Sequence, residues 1–220
     1  VEIRQQRRPL LLKFFKRYLQ EESTARFIHS VSSHYTCGTL ERLATHTAPE
    51  VRRASVMALC FLSDYCSNQV VGRSLSDDDR GVRLIAENGI RSLWIRAGSQ
   101  DQRNQLRKVM TEIQAYRYEI AVDEATRLIH AAPWYAEAYN QRGNAYLQLG
   151  DFELSIRDNH QALEINPYHF PAAIAMGQSY LRTGESLMAL DAFRRAIKLN
   201  SNLESVRSQV AYLERQLEEM

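Results

Sequence analysis

Apolar positions recur at intervals of three and four along most of this chain, the spacing at which one side of an α-helix faces a core. Leu106, Val109, Met110, Ile113 and Tyr116 make one such stripe. Val206, Val210, Leu213 and Leu217 make another with a charged remainder, as suits a helix covered on one side only. The alternation of half-buried strands is scarce, and only five prolines and nine glycines interrupt the 220 residues. The pattern predicts an all-α protein. Its punctuation agrees: Pro49 suits a first helical turn, Ser76 with Asp79 reads as a capping box, and Ser23 or Thr24 as an N-cap before Phe27, Ile28 and Val31. Gly98 followed by Ser99 and Gln102 ends one helix and starts another, which places a boundary between domains 1–98 and 99–220.

Shifted by about 34 residues, the stretch from Trp134 to Ser201 falls on itself. Gly143 meets Gly177, Tyr146 meets Tyr180, and Gly150 meets Gly184; Ala162 meets Ala196, Leu163 meets Ile197, and Asn166 meets Asn200. Glycine inside a helix costs about 1 kcal/mol relative to alanine, so Gly143 and Gly177 predict a close approach of the partner helix. Gly150-Asp151 and Gly184-Glu185 are expected to close a first helix in the left-handed conformation and open a second. Ala162 and Ala196 are small where second helices cross, and Pro133 and Pro167 stop a helix. Tyr118, Ala121, Ala125, Leu128 and Pro133 lie one period earlier. The expected layout is a degenerate repeat over 101–133, repeats over 134–167 and 168–201, and a capping helix over 203–219.

Period and residue types together resemble the tetratricopeptide repeat (TPR), whose helical hairpins stack into a right-handed α-α superhelix. The resemblance implies a binding surface without built-in chemistry, in which the first helices line a concave groove. Placing Gly143 and Gly177 at the eighth position of the family pattern puts Asn140, Asn144, Leu147 and Gln148 in that groove from one repeat. Ile174, Gln178, Leu181 and Arg182 come from the next. Amides can donate to and accept from an extended peptide backbone, and the three aliphatic residues can receive apolar side chains. A subset of the family clamps a C-terminal carboxylate with lysine, asparagine and arginine. Asn144 matches one asparagine, but Asn140 stands in place of the first lysine and Ala175 in place of the second asparagine. Chaperone C-termini are therefore not the expected ligand.

A second and shorter period, of about 31 residues, runs from Thr36 to Gly98. Pro49-Glu50-Val51-Arg52-Arg53-Ala54 leads into Ala58, Leu59 and Leu62, and Arg80-Gly81-Val82-Arg83 leads into Gly89, Ile90 and Leu93. The valine-arginine pair and the small-then-large positions resemble the second helix of a HEAT repeat, with Ile85 and Gly89 departing from expected alanines. Shorter first helices are expected over 38–46 and 67–75. HEAT-like repeats followed by TPR repeats make one helical-hairpin solenoid.

Composition refines this reading. The chain is 45% apolar and 25% charged, and its net charge of +2 divides into +5 for residues 1–100 and −3 for the rest. The leading expectation is a non-catalytic scaffold whose partner is a protein or peptide. Docking for a larger enzyme is the alternative, as is binding of nucleic acid or an anionic surface by the basic half; without interleaved aromatic and basic residues, nucleic acid is not the expected partner. The segment Arg7-Arg8-Pro9-Leu10-Leu11-Leu12-Lys13-Phe14-Phe15-Lys16-Arg17-Tyr18-Leu19 suits either a membrane surface or a helix capping the first repeat, and the cap is favoured. The C-terminal helix is a candidate for self-association. Cys37, Cys60 and Cys66 are odd in number and lack paired spacing, which predicts reduced thiols and a cytoplasmic setting. No run approaches the roughly 18 apolar residues of a membrane span, and a chain opening on Val1 is expected to be an excised piece.

Chemistry finds little footing. His29, His34, Cys37 and His46, with Cys60 and Cys66, offer metal ligands, but a closed zinc site wants two close pairs and only His34 and Cys37 approach one. Asp77-Asp78-Asp79 complements a helix N-terminus more simply than it holds a cation. With no phosphate loop, nucleophile elbow or His-Glu-x-x-His pair in the sequence, no catalytic residue, metal or cofactor is expected.

Overall fold

The computed structural model describes residues 9–219. Those residues form thirteen α-helices and no strand. Backbone contacts divide the chain into two units, Val1–Leu93 and Trp94–Met220.

The first unit holds α1 (Leu11–Glu21), α2 (Thr24–Ser32), α3 (Cys37–Leu43), α4 (Pro49–Leu62), a 3-10 turn at Tyr65–Ser67, α5 (Asn68–Ser74) and most of α6 (Arg80–Arg96). One side of α1 buries Leu11 and Phe15, and the helix packs against α2 and α4. The rings of Tyr18, Phe27 and Phe61 meet pairwise at centroid distances of 5.2 to 6.3 Å. Arg7 and Arg8 lie outside the described residues. Ser23 occupies the N-cap position of α2 without a side-chain bond, whereas Thr36 caps α3 through Thr39 N–H.

The shorter period is built into this unit. One such period separates the start of α3 from that of α5, and the start of α4 from that of α6. Arg52 donates to the carbonyls of His46 and Thr47 at 3.0 and 3.1 Å, and Arg83, one period on, donates to those of Asp77 and Asp78 at 2.8 and 3.1 Å. The same brace therefore holds both turns. Arg52 also reaches Asp77 through two bonds of 2.8 and 2.7 Å, tying one turn to the next, and Arg53 pairs the same way with Asp79 at 2.7 and 2.6 Å. The expected Ser76 capping box is not what starts α6. The helix begins at Arg80, so Asp79 is adjacent and its Oδ1 accepts Val82 N–H at 2.9 Å, while Ser76 lies too far upstream.

The second unit holds α7 (Gln100–Gln114), α8 (Tyr118–Ala131), α9 (Ala136–Leu149), α10 (Phe152–Ile165), α11 (Phe170–Thr183), α12 (Ser186–Leu199) and α13 (Glu204–Glu218). Each packs on the next, and α11 also touches α9, the stacking of a helical-hairpin solenoid. Ser99 and Gln102 form the expected capping box of α7. Gly150 and Gly184 end α9 and α11 at φ values of 89° and 81°. Gly98 has a different reason: a Cβ there would stand 3.0 Å from the Tyr135 ring. After the second helices, the buried Asn166 and Asn200 turn the chain by accepting the N–H groups of Tyr168 and Asn202 at 3.2 and 3.1 Å. Ala162 and Ala196 are fully buried in one cluster with Phe193, Val206 and Leu213. None of the described helices is long and apolar enough to cross a membrane.

Candidate functional site

Within each hairpin of the second unit, the first helix meets the second at matching positions. A Cβ on Gly143 would lie 2.5 Å from Asn159 Nδ2, and one on Gly177 would lie 2.5 Å from Phe193 Cε1. The partner helix does approach closely at both glycines. One period earlier the bulk is exchanged, with Val109 on α7 and Ala125 on α8 in one buried cluster. The preceding residues also correspond. Lys108 pairs with Glu124 at 2.5 Å, Arg142 grips Asp158 through bonds of 2.6 and 3.0 Å, and Met176 and Ala192 replace the pair by apolar packing.

The middle pair is the most enclosed, with side-chain exposures of 11% and 2%. Arg142 donates as well to Thr126 Oγ1 at 3.0 Å and lies over the rings of Tyr139 and Tyr146. Burial works against its charge, but the bonds and field of Asp158 outweigh burial and raise the guanidinium above its ordinary pKa. Glu124 is held below the usual carboxylate value, first by Lys108 and then by Arg127.

A buried polar chain links three helices behind the first-helix surface. Asn140 Nδ2 on α9 donates to Asn159 Oδ1 on α10 at 2.7 Å; Asn159 Nδ2 donates to Ser155 O at 2.9 Å; Ser155 Oγ stands 2.9 Å from Ser179 Oγ on α11. His169 caps α11 by accepting Ala172 N–H on Nδ1 at 3.2 Å, so its proton sits on Nε2 and is donated to Glu137 on α9 at 3.0 Å. Trp94 stacks on that imidazole at 4.5 Å. These bonds fix the azimuth of α9 and α11 and thereby decide which positions reach solvent.

The expected groove residues fall into two groups. Asn140 is a correction: it is 2% exposed and its amide is committed to Asn159, because a partner for it waits on the neighbouring helix. Asn144, Leu147 and Ile174 are half-buried, and Ile174 packs against the core cluster. Gln148, Gln178, Leu181 and Arg182 are exposed. Arg182 lies over the Phe152 ring at 5.1 Å. Helical spacing puts Asn144, Leu147 and Gln148 on one stripe of α9 and Gln178, Leu181 and Arg182 on the equivalent stripe of α11. The same register continues onto Met110, Ile113 and Gln114 of α7 and onto Tyr212, Arg215 and Gln216 of α13, where Gln216 bonds the Tyr212 hydroxyl at 2.7 Å. Carrying the longer period outward from the two clear repeats would have found them.

The metal-ligand types do not converge. His34 donates to Ser30 O, Cys37 opens α3, and His46 accepts Ala48 N–H. No group of three or more His, Cys, Asp or Glu placed to hold a metal occurs among the described residues. The aspartate run is instead absorbed by Arg52, Arg53 and the start of α6.

The tetratricopeptide repeat family matches the chain twice, at residues 136–169 and 171–203. The chain thus carries two such repeats, on α9–α10 and α11–α12. Among curated relatives, the SGT1 homolog of Oryza sativa subsp. japonica is 30% identical over 79 residues, covering 36% of this chain and 20% of that protein. A TPR repeat-containing protein of Rhizobium etli is 27% identical over 141 residues, covering 64% of this chain and 68% of its own length. The first TPR of Spaghetti (RPAP3), solved bound to the HSP90 peptide SRMEEVD, superposes with a TM-score of 0.52 at 20% identity over 55% of this chain and 95% of that one. The Sgt2 TPR domain from Aspergillus fumigatus gives 0.52 at 19% identity over 55% and 82%. At such identities the likeness concerns the fold.

Proposed function

We propose that the second unit is a non-catalytic module that captures an extended peptide segment of a partner protein along the first-helix surface. The observation that carries this reading is the repeated stripe of Asn144, Leu147 and Gln148 with Gln178, Leu181 and Arg182, mixing amides with the half-buried Leu147 and the exposed Leu181 in front of a satisfied polar layer. Amides along such a stripe can meet backbone groups of an extended chain, and the leucines can receive its alternate side chains. The paired arginine braces and the shorter period support a HEAT-like reading of the first unit. Met110 and Tyr212 extend the surface at either end.

The ligand differs from a chaperone C-terminus in this proposal. Asn140 is enclosed and Ala175 is 3% exposed, so neither position offers a cation or amide to a terminal carboxylate. Peptides selected from a random library against the full chain supply the probe. Combining Asn144→Ala with Arg182→Ala should weaken them about tenfold, or ~1.4 kcal/mol, while leaving the thermal midpoint nearly unchanged. SRMEEVD should bind no better than its scrambled sequence. Unaltered affinity in the double variant, or strong selective capture of SRMEEVD, would contradict the proposal.

A further inference from the structure

We propose that the outward side of α1 docks on anionic phospholipid surfaces, a second contact independent of the peptide stripe. The two readings of the opening segment belong to opposite sides of one helix. Leu11 and Phe15 face the first unit's core and Tyr18 joins its ring cluster. Steps of about 100° per residue carry Lys13, Lys16 and Gln20 to the far side, with Leu12 and Leu19 along one edge and Leu10 and Arg17 along the other. Lys13, Lys16, Arg17 and Gln20 are exposed, and so are Leu10 at 43% and Leu19 at 59%.

Charge complementarity selects the occupant. Residues 1–22 contain Arg4, Arg7, Arg8, Lys13, Lys16 and Arg17 against Glu2, Glu21 and Glu22, six bases to three acids and an excess of +3 in a chain whose net charge is only +2. Of the bases, Lys13, Lys16 and Arg17 lie on α1 and the other three arginines precede it in sequence; basic residues gathered at an amphipathic helix fit the negative potential of a lipid leaflet. Lysine and arginine stems can lie along the acyl boundary while their heads reach phosphates, and exposed leucines enter beside them. A nucleic-acid backbone would use the same cations but has no use for the leucines. Arg17 is tethered to Glu21 at 2.9 Å, an exposed pair that leaves its charge at the surface.

Sedimentation of the full chain with phosphatidylcholine vesicles, with and without phosphatidylglycerol, tests the proposal at low and high salt. The expected result is binding to the phosphatidylglycerol vesicles alone, lost at high salt. Each cation near such a surface contributes about fivefold, so Lys13→Glu with Lys16→Glu should cut the partition at least ~25-fold. Leu10→Ser with Leu19→Ser should cut it at least ~5-fold through lost apolar burial. All four side chains are exposed, so far-UV circular dichroism should be unchanged. Binding that ignores lipid charge, or that survives the lysine substitutions, would overturn the proposal. So would vesicle binding that is absent while a labelled DNA duplex binds equally to the wild type and the leucine variant.

Discussion

Tyr116 sits at φ 60°, in the left-handed region, where the equivalent positions of the next two hairpins carry Gly150 and Gly184. Its ring is 79% exposed, with an edge contact to Tyr118, so little packing offsets the steric cost of a Cβ in that conformation. Tyr116→Gly should stabilise the chain by about 1 kcal/mol, read as a higher urea midpoint; a lower midpoint would mean that the ring contact matters more than the backbone. Gly177 presents the opposite case, since any side chain there collides with Phe193. Gly177→Ala should cost about 1–3 kcal/mol by overpacking, and adding Phe193→Leu should recover part of the loss. Strict additivity of the two changes would show that they do not meet.

At the scale of elements, α6 is started by an aspartate that does two jobs. Asp79 accepts two bonds from Arg53 and one from Val82 N–H, and the Arg53 guanidinium above all draws its carboxyl down from the ordinary 3.8 to about 2. A carboxyl whose folded value is depressed stabilises fully above its unfolded value and loses that contribution as pH falls through the folded one. Unfolding curves of wild type and Asp79→Asn should therefore converge as pH drops from about 4 towards 2 and stay separated above it; a constant separation across that interval would place the acid sensitivity elsewhere.

The element level also shows what the sequence can and cannot disclose. Hairpins α9–α10 and α11–α12 were legible because each turn demands a residue type: glycine at φ above 80°, asparagine accepting the second N–H onward, alanine at a crossing. As a repeat, the first hairpin was legible only by its second helix; its first helix showed as an apolar stripe behind a capping box. Its glycine position holds Val109, which Ala125 opposite makes room for, and its left-handed position holds Tyr116. Asn140 was misplaced because helical periodicity separates polar from apolar positions but does not say whether the neighbouring helix carries an acceptor. The opposite charges of Lys108 with Glu124 and of Arg142 with Asp158, one period apart, were a readable signal of polar contacts between the helices there.

Across the whole molecule, repetition at the shorter period accounts for α3 to α6 and at the longer one for α7 to α12, and among the described residues no group of three or more His, Cys, Asp or Glu is placed to hold a metal. What repetition produces is surface: a stripe of amides and leucines on successive first helices. Backbone and side-chain NMR of the full chain, titrated with a library-selected peptide, tests that claim most directly. Shifts should concentrate on Asn144, Leu147, Gln148, Gln178, Leu181 and Arg182, fading towards Met110 and Tyr212. Shifts centred instead on Leu187, Met188 and Arg157, on the second helices, would contradict the account.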